Sequence, residues 1–186
     1  MTFTRAIVFD AVRRLRGGKE WTPSDIATLD RAIDRALGIA ETVRRIGPRG
    51  LALIKQSEGL RLQAYKCPAG VPTIGYGSTG PHVKMGFTLT ETEAEAMLLE
   101  DLDRFERGVA STAGHMTPGQ FSALVSFSFN VGLKALQDST LLRLHNAGKY
   151  TEAVEQFARW NRAGSKVLPG LTKRRAAEAK LYGAQS

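Results

Sequence analysis

Apolar residues recur at helical spacing along most of this 186-residue chain, and one short stretch breaks into the alternation of strands. Phe3, Ile7, Val8, Ala11, Val12 and Leu15 share one helix face, while Arg5, Asp10, Arg13, Arg14 and Arg16 fall largely elsewhere. Gly17-Gly18 stops that helix. Thr22 as N-cap, Pro23 at the first helical position and Asp25 in the first turn open a second, with Ile26, Leu29, Ile33 and Leu37 inward. It must end by Gly47-Pro48. Residues 1 to 47 thus form a helical hairpin too small for a core of its own. It is expected to dock on the remainder, residues 48 to 186, as an extension; a wall-binding appendage or a helix that engages membrane are the other readings.

A short helix follows over Arg49 to Gln56 (Leu51, Leu53, Ile54), and Gly59 stops it, leaving Glu58 at its end. Leu62 to Lys66 and Thr73 to Tyr76 suit strands, and Cys67-Pro68-Ala69-Gly70-Val71-Pro72 has the composition of a turn between them. Ser78 to Gly86 is polar and Gly-rich. Thr90 with Glu93 is a capping box that starts a helix to about Arg107, with Ala94, Met97, Leu98, Leu102 and Phe105 inward. Thr117-Pro118 starts another, Phe121 to Asn130, stopped by Gly132. Phe121, Leu124, Val125, Phe127 and Phe129 make it apolar on most sides, as for the buried centre of a domain. Further helices are predicted over Ser139 to Ala147, Thr151 to Trp160 and Thr172 to Tyr182.

Composition narrows the chemistry. Cys67 is the single cysteine, which excludes an intramolecular disulfide and a multi-cysteine metal site; a reducing cytoplasm suits the chain during synthesis. His82, His115 and His145 have no metal-motif spacing, so neither metal nor cofactor is expected. The net charge of +8 implies an acidic partner: nucleic acid, anionic lipid or a wall polymer. No nucleic-acid motif is present, so that partner is not expected. Seven Lys and Arg lie between Arg159 and Lys180 against one acid, Glu178; such a run is ordinarily a solvated helix face. No window reaches the roughly 18 apolar residues of a membrane span, and Asp10, Arg13 and Arg14 interrupt any signal-peptide core.

A helix end followed at once by a small hairpin would gather an acid, a thiol and a hydroxyl, Glu58, Cys67 and Thr73, around one cleft. The spacing E-x8-C-x5-T, set in E-G-x-x-x-x-A-Y and followed by T-I-G-Y-G, resembles the catalytic segment of the phage-type lysozymes, glycoside hydrolase family 24, which include the endolysins of tailed phages. That family carries E-x8-D-x5-T, with Cys replacing Asp in some members. F-S-A-L-V-S-F-S-F-N-V-G, S-T-L-L, A-V-E-Q-F-A-R-W and G-L-T-K-R-R-A-A-E are similar to its C-terminal helical lobe, so the resemblance runs from near Arg49 to the chain end.

The resemblance implies an α+β, mainly helical lysozyme-like fold with a small β-hairpin lobe. It implies a muramidase that cleaves the β-1,4 bond between N-acetylmuramic acid and N-acetylglucosamine. Peptidoglycan is the expected partner, anionic membrane or wall polymer stays open for the basic helices, and a monomer is expected. Synthesis in the host cytoplasm would precede action at the periplasm or wall. Glu58 matches the general acid, Cys67 the Asp or Cys position, and Thr73 the threonine that helps place water. Helix-end charge and the neighbours Leu60 and Tyr65 favour the protonated form that an acid requires. Cys67 is open as a base, a nucleophile or a small buried side chain, since an unperturbed thiol is mostly neutral near pH 7. Tyr76, Asn130, Ser139, Thr140 and Arg174 are the candidate substrate-binding residues; a C-terminal cap for Asn130 and an N-cap for Ser139-Thr140 are the other readings. For Arg174-Arg175 the alternatives are an ion pair with the acid and a surface coat. Two other functions stand beside the muramidase: a basic binding module with little catalysis, and a membrane-active cationic protein.

Overall fold

The structure, a computed structural model, describes residues 44–184, so the two helices expected before Arg44 lie outside the described residues. It is α+β and mainly helical, and it divides into two compact units. The helical unit takes Arg44–Gly59 and the chain from Leu102 onward; the sheet unit takes Leu60–Asp101.

In the sheet unit, β1 (Arg61–Lys66), β2 (Pro72–Gly75) and β3 (Ser78–Thr79) form an antiparallel sheet in that order. Tyr65 pairs with Thr73 and Lys66 with Pro72, which fixes the turn between them, and the register slips between Arg61 and Tyr65. The free edge of β1 is covered: Ala64 N–H donates to Phe87 O at 2.9 Å and Leu89 N–H to Leu62 O at 2.8 Å. Ala64, Ile74 and Val83 are its buried core, with Leu89 and Met97 packed against them. Met97 comes from α2 (Glu91–Thr112), whose first half belongs to this unit. The Thr90–Glu93 capping box is formed, with Glu93 N–H on Thr90 Oγ1 at 3.2 Å and Thr90 N–H on Glu93 Oε2 at 2.8 Å. Ser78 Oγ donates to Asp101, joining β3 to α2. β3, two residues long, lies within the passage read as irregular.

The helical unit is built on α3 (Pro118–Val131), whose Phe121, Leu124, Val125 and Phe127 are fully buried. Thr117 caps it and Gly132 ends it, as its sequence signals require. Phe127 meets Phe157 and Trp160 edge to face, with centroids 5.6 and 5.2 Å away. Removing a side chain so placed costs about 3–5 kcal/mol. Around α3 stand α1 (Pro48–Glu58), α4 (Leu133–Gln137), α5 (Thr140–Asn146), α6 (Tyr150–Gln156) and α7 (Pro169–Gly183). A 3-10 turn over Phe157–Arg159 and the hairpin of β4 (Arg162–Ala163) with β5 (Lys166–Val167) separate α6 from α7. Gly50 lets α1 lie directly on α3, because a Cβ there would stand 2.7 Å from both Ser122 Cβ and Ile46 Cγ1.

Four consecutive residues ahead of α1 are clamped to the helical unit. Arg44 donates to Met116 O at 2.5 Å and covers the Phe121 ring, and Arg45 pairs with Asp103 at 2.9 Å and Glu106 at 2.7 Å. Ile46 N–H reaches Glu106 Oε1 at 2.7 Å, and Gly47 N–H reaches Ser122 Oγ at 3.0 Å. Burial raises the pKa of the Glu106 carboxyl, which the Ile46 N–H and Arg45 oppose. Arg45→Ala therefore leaves a buried carboxyl without its cation, and a loss of about 2 kcal/mol is expected in chemical denaturation. An unchanged denaturation midpoint would show the clamp to be dispensable.

His145 of α5 is buried and shares a 2.6 Å hydrogen bond through Nδ1 with the Tyr182 hydroxyl of α7; its Nε2 makes no well-formed hydrogen bond among the described residues. Burial pushes its pKa below the ordinary 6.5. The folded protein then binds fewer protons than the unfolded chain below pH 6.5, so this contribution to stability is present above that value and is lost as pH falls through it. Glu106 and Glu178, both raised, act in the opposite sense as the pH falls, so the histidine's part is read as a difference between proteins. His145→Gln should lose less thermal stability than the parent between pH 7 and pH 5, by up to about 1.4 kcal/mol per pH unit. Parallel pH curves for the two proteins would contradict this.

Candidate active site

Glu58 is the last residue of α1. Gly59 ends the helix at φ 72, a left-handed value that favours glycine, and its N–H closes on Lys55 O at 3.1 Å. The Glu58 side chain is 24 % exposed, and its Oε1 accepts from Arg174 Nη1 at 2.6 Å. The helix end read from sequence is thus joined by a guanidinium 116 positions further along the chain.

Arg174 is itself held. Its Nε donates to Glu178 Oε1 at 3.1 Å and its Nη2 to Ser126 O at 3.1 Å. Glu178, fully buried, also accepts from Ser126 Oγ at 2.8 Å and from Arg175 Nη2 at 3.1 Å. Arg175 Nε approaches Glu178 Oε2 at 2.8 Å as an ion pair without the alignment of a hydrogen bond. Arg175 lies over the Phe127 ring at 4.9 Å and donates to Asn130 Oδ1 at 3.1 Å. Burial pushes the Glu178 carboxyl up, against the pull of Arg175 and Arg174, and pushes the Arg175 guanidinium down. The two guanidiniums and the hydroxyl on it favour the ionised form of Glu178 against its burial. Arg174 thus pairs with the acid, and Arg175, 1 % exposed, does not coat the surface.

Cys67 and Thr73 come together in the sheet unit. Cys67 closes the β1–β2 turn, its N–H on Val71 O at 3.0 Å and its carbonyl accepting from Gly70 N–H at 2.7 Å. The backbone N–H groups of Val71 and then Ala69 face the sulfur and hold the thiol below its ordinary pKa of 9.0. The turn thus favours the thiolate more than an unperturbed thiol would allow. Thr73 is buried and has one hydroxyl proton, which it gives to Val71 O at 3.0 Å, so the two backbone N–H groups are the sulfur's principal donors.

The other candidates are dispersed. Tyr76 is buried beside Gly75 in the sheet unit, and Asn130 is exposed near the end of α3, paired with Arg175. Ser139 caps α5, accepting from Leu142 N–H at 3.0 Å and donating to Leu136 O at 2.6 Å, so its hydroxyl is already engaged. Thr140 is exposed in the first turn of α5. No cluster of three or more potential metal ligands occurs among the described residues. Sequence reasoning missed Ser126 and Glu178. The signal for Glu178 was present: it is the single acid in a basic run, one helical turn from Arg174.

The phage lysozyme family profile matches residues 55–178. The chain belongs to this family. The endolysin of Bacillus phage B103 is 45% identical over 143 residues, 74% of this chain and 53% of that protein, so the chain spans about half the length of this relative. The endolysin of Acyrthosiphon pisum secondary endosymbiont phage 1 is 42% identical over 142 residues, 74% of this chain and 97% of that protein. Among solved structures, the muramidase domain of SpmX from Asticaccaulis excentricus superposes with a TM-score of 0.72 at 37% identity, covering 76% of this chain and 99% of that one. The fold is that of the phage lysozymes. The family match takes in Glu58, Cys67, Thr73, Arg174 and Glu178.

A turn that stabilises thiolate has a measurable consequence. Alkylation of Cys67 by iodoacetamide should follow a pH curve with its midpoint below 9.0. A midpoint at or above that value would remove the turn's electrostatic role.

Proposed function

We propose that this protein is an endolysin-type muramidase that hydrolyses the β-1,4 bond between N-acetylmuramic acid and N-acetylglucosamine in peptidoglycan. The observation that carries the reading is a carboxyl placed at a helix end by Gly59, partly open to solvent and gripped from the buried side by Arg174, within E-x8-C-x5-T. Glycoside hydrolysis needs a proton for the leaving oxygen, and Glu58 is the group that supplies it. Cys67 is the second catalytic group. Its thiolate form, which the turn favours, would offer negative charge to an oxocarbenium-like centre, acting on water as a base or on the sugar as a nucleophile. Thr73, against the sulfur, helps place that water.

Charge supports a wall substrate. The helical unit carries sixteen Lys and Arg to seven acids, whereas the sheet unit carries three to five. A basic helical face suits the carboxylate- and phosphate-bearing polymers of a bacterial wall, where the enzyme acts to lyse the host. No helix among the described residues is long and apolar enough to cross a membrane.

Glu58→Gln keeps the shape and removes the acid. Lysis of permeabilised Gram-negative cells should fall at least ~100-fold with the thermal melt unchanged within a few degrees. Lysis near the parent rate would end the muramidase reading. Cys67→Asp, which installs the commoner family residue, should keep substantial activity, whereas Cys67→Ala should lose most of it; full activity in Cys67→Ala would reduce Cys67 to packing.

A further inference from the structure

The proposed chemistry uses Glu58 and leaves unexplained why a second carboxylate is buried completely a few bonds behind it. Four charged groups form one cluster: Glu58, Arg174, Arg175 and Glu178. Side-chain exposure falls from 24 % at Glu58 to 5 % at Arg174, 1 % at Arg175 and none at Glu178. Glu58 alone of the four can meet substrate and exchange a proton with solvent. Glu178 touches neither.

We propose that Glu178 is a positioning residue for Glu58, acting through Arg174. The inference rests on the reading of Glu58 as the acid. A guanidinium is a rigid fork, so bonds at two of its nitrogens direct the third. Nε is taken by Glu178 Oε1 and Nη2 by Ser126 O, which leaves Nη1 aimed at Glu58. Ser126 Oγ, donating to the same Glu178 oxygen, ties the anchor to α3. Glu178 also sets the charge beneath the acid. Two guanidiniums and one carboxylate leave a single excess positive charge there. Without Glu178 the excess doubles, and Arg174 Nε and Arg175 both lose their anion. Lys55 is also charged in this last turn of α1; α3 contributes the uncharged Ser126 and Asn130.

A merely structural carboxylate would change stability and leave the pH dependence alone. A positioning carboxylate moves both. In the full chain, Glu178→Gln should shift the alkaline limb of peptidoglycan hydrolysis to lower pH by about one unit, because the acid then faces two uncompensated guanidiniums and gives up its proton earlier. Arg175→Gln removes the excess and should shift the limb in the opposite direction. The double variant restores the single excess and should bring the limb back toward the parent position, while its plateau rate stays below the parent's because Arg174 Nε still lacks its anchor. A folded Glu178→Gln protein with the parent's limb overturns the proposal. Should Glu178→Gln fail to fold, Arg175→Gln decides, and an unmoved limb there overturns it equally. The carbon-13 signal of the Glu58 carboxyl, identified by its loss in Glu58→Gln, follows the same shifts without reference to activity. Full hydrolysis by Glu58→Gln would sink the reading of Glu58, while a Glu58 signal that ignores Glu178→Gln would sink this inference alone.

Discussion

The contact between Glu58 and Arg174 is the constraint on which the helical unit depends. A guanidinium withdrawn from water costs several kcal/mol unless its donors are met, and Arg174 meets them from three directions at once. That condition fixes α1, α3 and α7 together: α1 must end at Glu58, α3 must present Ser126, and α7 must place Glu178 one turn past Arg174. Gly50 supplies the close approach of α1 to α3, and Arg44 to Gly47 hold the start of α1. Where most helix packing joins apolar faces, this one carries a paired charge through its centre and brings one member out to solvent.

The sheet unit solves a different problem with backbone alone. Its turn between β1 and β2 brings the backbone of Val71 and Ala69 against Cys67, which lowers the pKa of a side chain that is a weak acid in water. Where the commoner family pattern places aspartate, which is ionised without help, a thiol depends on such donors to favour its charged form. The shape of the turn therefore bears on chemistry as well as on register.

Much of this was legible in the sequence because its signals are local. Glu58 before Gly59, Thr90 with Glu93, and Thr117 before Pro118 each specify a helix end within four residues, and each is found in the structure. The apolar run of Phe121 to Phe127 announced the buried helix. α4, β3 and the β4–β5 hairpin were missed because two to five residues are too few to show a period. α2 continues to Thr112, past the expected end near Arg107, and α7 begins at Pro169, ahead of the expected Thr172. The burial of Arg174, Arg175 and Glu178 was not legible, since their partners Glu58, Ser126 and Asn130 lie at least 45 positions away and basic runs ordinarily face water.

The central claim is that an acid at Glu58 cuts the glycan strand of the wall. Mass spectrometry of the soluble fragments released from purified peptidoglycan, with the reducing ends labelled by borohydride, tests it most directly. Reduced N-acetylmuramic acid at the new ends is the result the structure leads us to expect. Reduced N-acetylglucosamine ends, or intact glycan strands in a preparation that still lyses cells, would contradict it.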